Sequence, residues 1–291
     1  MKNLYLILRK NSNHTTFDLL KKSAEEKGIT VKQIHTDDFS FSQKPNLTHE
    51  DAIYRIAIDA NSSLIEKYLI NENTIGFYSN YLNCIGKLDN VIEYSLIHQK
   101  FNIPIIKTIF SVPTNKDHLK ESIDELGGFP VILKTLGGMH GIGVMKIDSY
   151  DSLFSIIDYL ENRGEKFVLR KFIEHEEQAR IIVLGDKVIA SHANFTSNDF
   201  RTNVGDNSTR KRAVKSYDKK IHDMAVKAVQ SLGYEFGGVD ILFSKKTNEP
   251  HIAEVNFPCF FPRTQELTGV DIAGAMIDYL IDKSNNHTVV Q

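Results

Sequence analysis

Tryptophan is absent, which excludes nothing, and cysteine nearly so. Two cysteines far apart in 291 residues, Cys84 and Cys259, make neither a disulfide framework nor a thiolate zinc cluster. That usage fits a reducing, cytoplasmic compartment. Neither charge sign is in excess. Lys plus Arg number 35 against 37 Asp plus Glu, a net of −2, so no global attraction to nucleic acid or an anionic membrane is expected. No apolar run reaches the roughly 18–20 residues of a membrane span. The opening MKNLYLILRKNSN lacks a small-residue cleavage site and reads as a first strand rather than a signal peptide. Internal repeats and low-complexity tracts are missing too. What remains, 41% apolar and 25% charged residues, is ordinary for a globular chain, and its length suits two or three modest domains.

The first third alternates strand and helix. Leu4 to Leu8, Thr30 to Ile34, Ala52 to Ile58 and Thr74 to Tyr78 read as strands. Between them lie a helix capped at Thr15 or Thr16 and stopped at Gly28, and a helix from Ser62 to Ile70. Such alternation predicts a parallel sheet with covering helices, an α/β unit. Helices at Val91–Lys100 and Lys116–Leu126 follow. Then come strands Val131–Lys134 and Val144–Ile147 around a glycine-rich stretch, and a helix Ser152–Asn162. That block reads as an α+β unit of its own. The last part is richer in strands. Lys166–Lys171, Ala179–Val183 and Lys187–His192 precede a polar loop at 196–212, a helix Asp218–Leu232, a hairpin over 238–256 and a helix Asp271–Asp282. The polar tail from Lys283 is expected to fray.

Three constellations can carry chemistry. In the last hairpin, Asp240 lies on the outgoing strand, and Glu254 and Asn256 share one face of the return strand. A turn near 246–248 places Asp240 opposite Glu254. Two carboxylates and an amide oxygen suit Mg²⁺ or Mn²⁺, with nucleotide phosphates completing the shell. A solvated acidic hairpin would present the same residues. The second constellation is Lys134 followed by four glycines among residues 137–143, enclosing His140 and Ile142. Glycines let backbone N–H groups approach phosphates and let a loop close as a lid. It is not a Walker A loop, which needs Gly-Lys-Ser/Thr, nor a dinucleotide fingerprint, because a strand follows. A plain flexible hairpin remains open. The third is a basic stretch, residues 201–220, with seven Lys or Arg against two Asp. Arg201, with Arg180 before it, can bind anions bidentately, and the later lysines read as surface. His175, His192 and His251 show no metal-ligand spacing and read as structural or exposed.

Taken in order, these pieces resemble the ATP-grasp superfamily, in particular its RimK-like (ribosomal-protein glutamate ligase) branch. The strings are Gly-Gly-Phe-Pro-Val-Ile-Leu-Lys, Gly-Met-His-Gly-Ile-Gly-Val, Gln-Ala-Arg-Ile-Ile-Val-Leu-Gly-Asp-Lys-Val, Asn-Asp-Phe-Arg-Thr-Asn, Gly-Gly-Val-Asp-Ile-Leu, Ala-Glu-Val-Asn and Thr-Gly-Val-Asp-Ile-Ala-Gly, over about residues 85–282. Residues 1–84 match only as a generic strand–helix domain. The resemblance implies a three-domain ATP-grasp fold: a pre-ATP-grasp domain 1–88, a central subdomain 89–165 and a C-terminal subdomain 166–291, with ATP clamped between the last two. It implies a ligase that phosphorylates a carboxylate to an acylphosphate, releases ADP and couples the acyl group to an amine. The partners it implies are ATP, two Mg²⁺ (or Mn²⁺) ions, and small-molecule or peptide carboxylate and amine substrates, with a homo-oligomer expected and no nucleic acid or membrane.

By the same resemblance, Lys134, Gly138, His140, Gly141, Ile142 and Gly143 face ATP, and Lys171, Phe172 and Ile173 lie where the interdomain strand reads adenine. Glu177 or Gln178 lies where ribose is bound. Asp240, Glu254 and Asn256 match the metal ligands. Arg180 and Arg201 match arginines facing the phosphates and the reacting carboxylate, which stabilise charge moving among phosphate oxygens. Asn203 and Arg263 lie by the substrate. Two positions depart from the family. Where it has Asp-Lys, this chain has Asp89-Asn90, with Lys87 as the substitute phosphate contact, and Lys171 stands where the family often has Glu. Phe257 to Thr264 is bulkier than the family's small segment and is expected to shape the acceptor pocket. The fold leaves open two alternatives: cross-linking of a ribosomally made precursor peptide, and a small-molecule kinase.

Overall fold

The structure is a computed structural model, and it describes residues 1–10, 15–86, 90–137, 142–196 and 211–286. The run NLYLIL forms β1 (Asn3–Leu8), in which Leu4 to Leu8 are all buried. A continuous apolar strand suits a parallel sheet covered on both faces. β1 pairs in parallel with β2 (Thr30–His35) and β3 (Asp51–Arg55), in the order β2-β1-β3. Helices α1 (Thr15–Glu25) and α2 (Ala60–Leu69) follow β1 and β3, and Asp59 caps α2 by accepting from the Ser62 N–H. The strand expected at Thr74–Tyr78 is instead a crossing segment. Ile75 bridges to Ala52 in the first sheet, and Tyr78 bridges to Tyr234, two residues before a strand of the last sheet. β3 is likewise shorter than expected, ending at Arg55.

After the short α3 (Leu82–Ile85) comes α4 (Val91–Lys100), capped by the Asn90 side chain, which accepts from the Glu93 N–H. A central sheet has the order β4-β7-β5-β6, built from β4 (Thr108–Ile109), β5 (Val131–Thr135), β6 (Val144–Ile147) and β7 (Phe167–Lys171). Helices α5 (Lys116–Leu126) and α6 (Tyr150–Asn162) cover it around a core that includes Leu119, Ile123, Leu133 and Leu153. Because β7 is hydrogen-bonded to β5, the central sheet runs past the boundary expected at residue 165.

The last sheet is antiparallel, in the order β10-β9-β8-β11-β12. Its strands are β8 (Glu177–Leu184), β9 (Lys187–Phe195), β10 (Arg212–Val214), β11 (Phe236–Phe243) and β12 (Pro250–Asn256). α7 (Lys219–Ser231) packs Ile221, Ala225, Ala228 and Val229 against one face. β10 lies partly inside the stretch expected to be loop. The segment expected beside the acceptor contains α8 (Pro262–Thr268), with Pro262 in its first turn, where a missing N–H costs nothing. α9 (Ile272–Asn285) extends past the expected end of order. Lys283 is held there by the carbonyls of Gly76 and Tyr78 and by Glu235. The first and last sheets share one apolar core running from Leu4 to Leu280, while the central sheet has its own.

Candidate active site

The register of the final hairpin sets the site. Asp240 pairs directly with Glu254, and Gly238 with Asn256, so these positions share one face. Between Asp240 and Ile241 the register shifts, leaving Ala253 as a bulged residue on β12. On the other side of β11, Asp240 pairs with Arg180 of β8. Arg180 Nε lies 2.9 Å from Asp240 Oδ1. Asn256 Nδ2 donates to Asp240 Oδ2 at 3.2 Å and to the Gly238 carbonyl at 3.4 Å. Asp240 is 1% exposed, and despite the close guanidinium its Oδ1 makes no well-aligned hydrogen bond. Burial raises the Asp240 pKa, and Arg180 only partly offsets this. Burial acts to lower the Arg180 pKa, but Asp240 outweighs it and the net shift is upward.

The central sheet meets this patch through two cations. Lys134, near the end of β5, lies 3.4 Å from Glu254 Oε2. Arg170 of β7 donates from Nη1 to the Ala253 carbonyl at 3.2 Å, so the bulge presents the acceptor that joins the sheets. Burial lowers the Arg170 pKa to about 10, with Glu254 acting against the shift.

The donor set fits a hard divalent cation in part. Among the described residues no group of three His, Cys, Asp or Glu side chains gathers. Two carboxylates and one amide therefore need further oxygens from elsewhere, as phosphates supply. Asp240 Oδ1, buried and ion-paired with Arg180 but without an aligned hydrogen bond, is the observation that fits such an ion.

The glycine loop is closed at its base. Thr135 donates its N–H to the Gly143 carbonyl at 2.9 Å. Gly143 has φ +80°, and a Cβ there would lie 2.0 Å from Thr135 Oγ1, so only glycine fits. Ile142 is exposed. Gly138, His140 and Gly141 lie outside the described residues, as do Lys87, Arg201 and Asn203.

Other expected positions disperse. Lys171 already donates its N–H to the Lys107 carbonyl at 2.9 Å, and the Ile173 carbonyl accepts from His175 Nδ1 at 2.7 Å. Phe172 lies under Lys146, 5.1 Å from its ammonium. Glu177 and Gln178 point to opposite faces of β8. Gln178 is buried on the Arg180 side, whereas Glu177 binds Lys215 at 2.6 and 2.7 Å. Arg263 pairs with Glu266 at 2.9 Å on α8. Of the segment expected to shape an acceptor pocket, Phe257, Cys259, Phe261 and Thr264 are buried, and Phe260 is exposed.

Sequence reasoning missed the extension of this polar face onto β9. His192 pairs with Arg180, and Asn194 with Gln178. Arg212 Nε donates to Asn194 Oδ1 at 3.0 Å, and His192 Nδ1 lies 3.3 Å from the Thr264 hydroxyl. Burial, then Arg180 and Arg212, hold the His192 pKa down at about 4. Polar residues at alternate positions of an apolar strand were the available signal.

The sequence model of the RimK-like ATP-grasp domain matches residues 93–280. A probable alpha-L-glutamate ligase of Rhodopirellula baltica is 28% identical over 278 residues, covering 90% of this chain and 66% of its own length. One from Mannheimia succiniciproducens is 28% identical over 300 residues, covering 96% of this chain and 98% of its own. The chain spans 66%, 60% and 52% of the length of the first three curated relatives it matches. Among solved structures, the ATP-grasp ligase PsnB complexed with a minimal precursor, Mg and ADP matches with a TM-score of 0.73 at 15% identity, over 97% of each chain. That likeness shows a common fold.

Proposed function

We infer the activity from one premise: the chain belongs to the RimK-like ATP-grasp family. On it we propose an ATP-dependent carboxylate–amine ligase, with the nucleotide between the central and C-terminal sheets. The γ-phosphoryl group of ATP passes to a carboxylate oxygen and ADP leaves. An amine then attacks the acyl carbon, the bond to phosphate breaks, and the amine proton passes to solvent. The observation that supports this most is the meeting of Lys134, Arg180, Asp240 and Glu254 from two sheets on one patch.

Arg180 is a fixed cation, oriented by Asp240, beside which charge on a transferring phosphoryl group is stabilised without reorganisation. Lys134 is a compact cation for which phosphate oxygens compete with Glu254. Asp240, Glu254 and Asn256 would hold Mg²⁺ or Mn²⁺, two ions in our reading, which when bound neutralises phosphate charge and polarises the phosphoryl group. Relatives named alpha-L-glutamate ligases make L-glutamate the first substrate to try. We place the amine on an amino acid, a peptide or a protein tail, and the chain in the cytoplasm as a homo-oligomer. Cys84 and Cys259, both buried and neither in a disulfide, support a reducing setting.

Incubation with ATP, magnesium and amino-acid and peptide pools tests the reading. The expected product has the mass of donor plus acceptor less one water, and it is absent with Glu254→Gln. A phosphorylated product without condensation would favour a kinase instead. A neighbour solved with a precursor keeps one further reading in view, condensation within a precursor peptide. A product one water lighter than a single peptide would identify it.

A further inference from the structure

Gly238 stands two residues before Asp240 on the same face of β11, opposite Asn256. Its backbone has no left-handed φ, so conformation does not call for glycine here. Space does. A Cβ at this position would lie 2.5 Å from Cys259 Sγ and 2.9 Å from Arg180 Nη1. The sulfur and one end of the guanidinium therefore fill the hollow that the missing side chain leaves. The other end, Nε, is held 2.9 Å from Asp240 Oδ1. Arg180 is thus confined at both ends, by the Asp240 carboxylate at one and by its side-chain interaction with the Cys259 thiol at the other.

Cys259 is itself fixed from a distant part of the chain. Its backbone N–H donates to the Tyr54 hydroxyl at 3.2 Å, and both residues are buried. Tyr54 lies on β3 of the first sheet, with its ring edge-on to Phe257, Phe77 and Phe236 at 6.0, 5.4 and 6.0 Å. A contiguous path runs from the first sheet through Tyr54 and Cys259 to Arg180.

We propose that Tyr54 and Cys259 are positioning residues through which the N-terminal sheet sets the angle of the Arg180 guanidinium on Asp240, with Gly238 as the seat. The thiol acts as a stop and a contact, not as a nucleophile. Burial raises its pKa to about 11, which keeps it protonated. The inference rests on the reading of Arg180 as a catalytic residue.

The test compares Tyr54→Phe, Cys259→Ala, Cys259→Ser and Gly238→Ala with Arg180→Ala in magnesium-dependent ATP turnover with the substrate pools. Tyr54→Phe preserves volume and removes only the hydroxyl. The expected result is a several-fold loss of kcat in Tyr54→Phe and a loss of about tenfold in Cys259→Ala, the latter equivalent to about 1.4 kcal/mol. The KM for ATP stays unchanged, and Cys259→Ser recovers most of the loss. Gly238→Ala is expected to match or exceed Cys259→Ala. If Gly238→Ala does not fold, the Tyr54 and Cys259 variants decide alone. In the Arg180→Ala background, Cys259→Ala is expected to add nothing. Loss in Arg180→Ala with full kcat in Tyr54→Phe and Cys259→Ala overturns the positioning claim. Full turnover in Arg180→Ala overturns the catalytic reading beneath it. Equal losses in both Arg180 backgrounds would show that Cys259 acts only through folding.

Discussion

Arg180 and Asp240 form a buried pair whose members depend on each other. Removing the cation strands a carboxylate that is 1% exposed. Arg180→Ala is therefore expected to cost about 3–5 kcal/mol of folding stability as well as turnover. Asp240→Asn/Arg180→Ala should be the more stable protein of the two, read by denaturant midpoints. Lys134 and Glu254 differ: Glu254 is 43% exposed in its side chain, so the pair contributes at most about 1 kcal/mol. Lys134→Ala should leave the unfolding midpoint nearly unmoved and weaken nucleotide binding. His192 gives a pH signature. Its folded pKa of about 4 lies below the ordinary value of 6.5. The neutral ring's contribution is fully present above pH 6.5 and is lost as pH falls toward 4, of order 3 kcal/mol in all. Unfolding midpoints measured across that window should flatten in His192→Gln.

Among elements, the β5–β6 connection carries the sharpest prediction. Gly143 needs both a left-handed backbone and empty space beside Thr135, whereas Gly127, with φ +99°, needs only the backbone. Gly143→Ala should therefore destabilise by clearly more than the ~1 kcal/mol expected of Gly127→Ala, as read by thermal unfolding. The same scale shows what was legible in the sequence. Strand alternation puts Glu254 and Asn256 on one face, but the ladder running from Phe243 and Pro250 would set Asp240 against Ala253, and the bulge there restores the expected pairing with Glu254. That alternation also separates Glu177 from Gln178, although only the finished sheet shows Glu177 engaged by Lys215. The bulge at Ala253 carries no local signal, yet it provides the carbonyl that Arg170 uses. β4 and β10 are too short for any period to show, and α8 is a seven-residue helix directly behind an aromatic run. Lys283 looks like tail because its partners, Gly76, Tyr78 and Glu235, are remote in sequence.

At the scale of the whole molecule, the described residues form two apolar cores rather than three. The first and last sheets share one, and the central sheet owns the other. Cooperative opening follows shared packing. Amides of β1 and β11, far apart in sequence, should then show one common level of hydrogen-exchange protection, and those of β5 and β7 a separate one. Among the described residues, Arg170 and Lys134 are side chains that reach from the central sheet to the last one. A site at that seam is where closure on a nucleotide would bring cations and carboxylates together. In the proposed function, phosphate is transferred there to a carboxylate. Chromatography of nucleotide products, with magnesium and substrate pools present, tests it most directly. Pool-dependent ADP and inorganic phosphate are expected, abolished by Asp240→Ala/Glu254→Ala. Release of AMP and pyrophosphate would contradict that transfer.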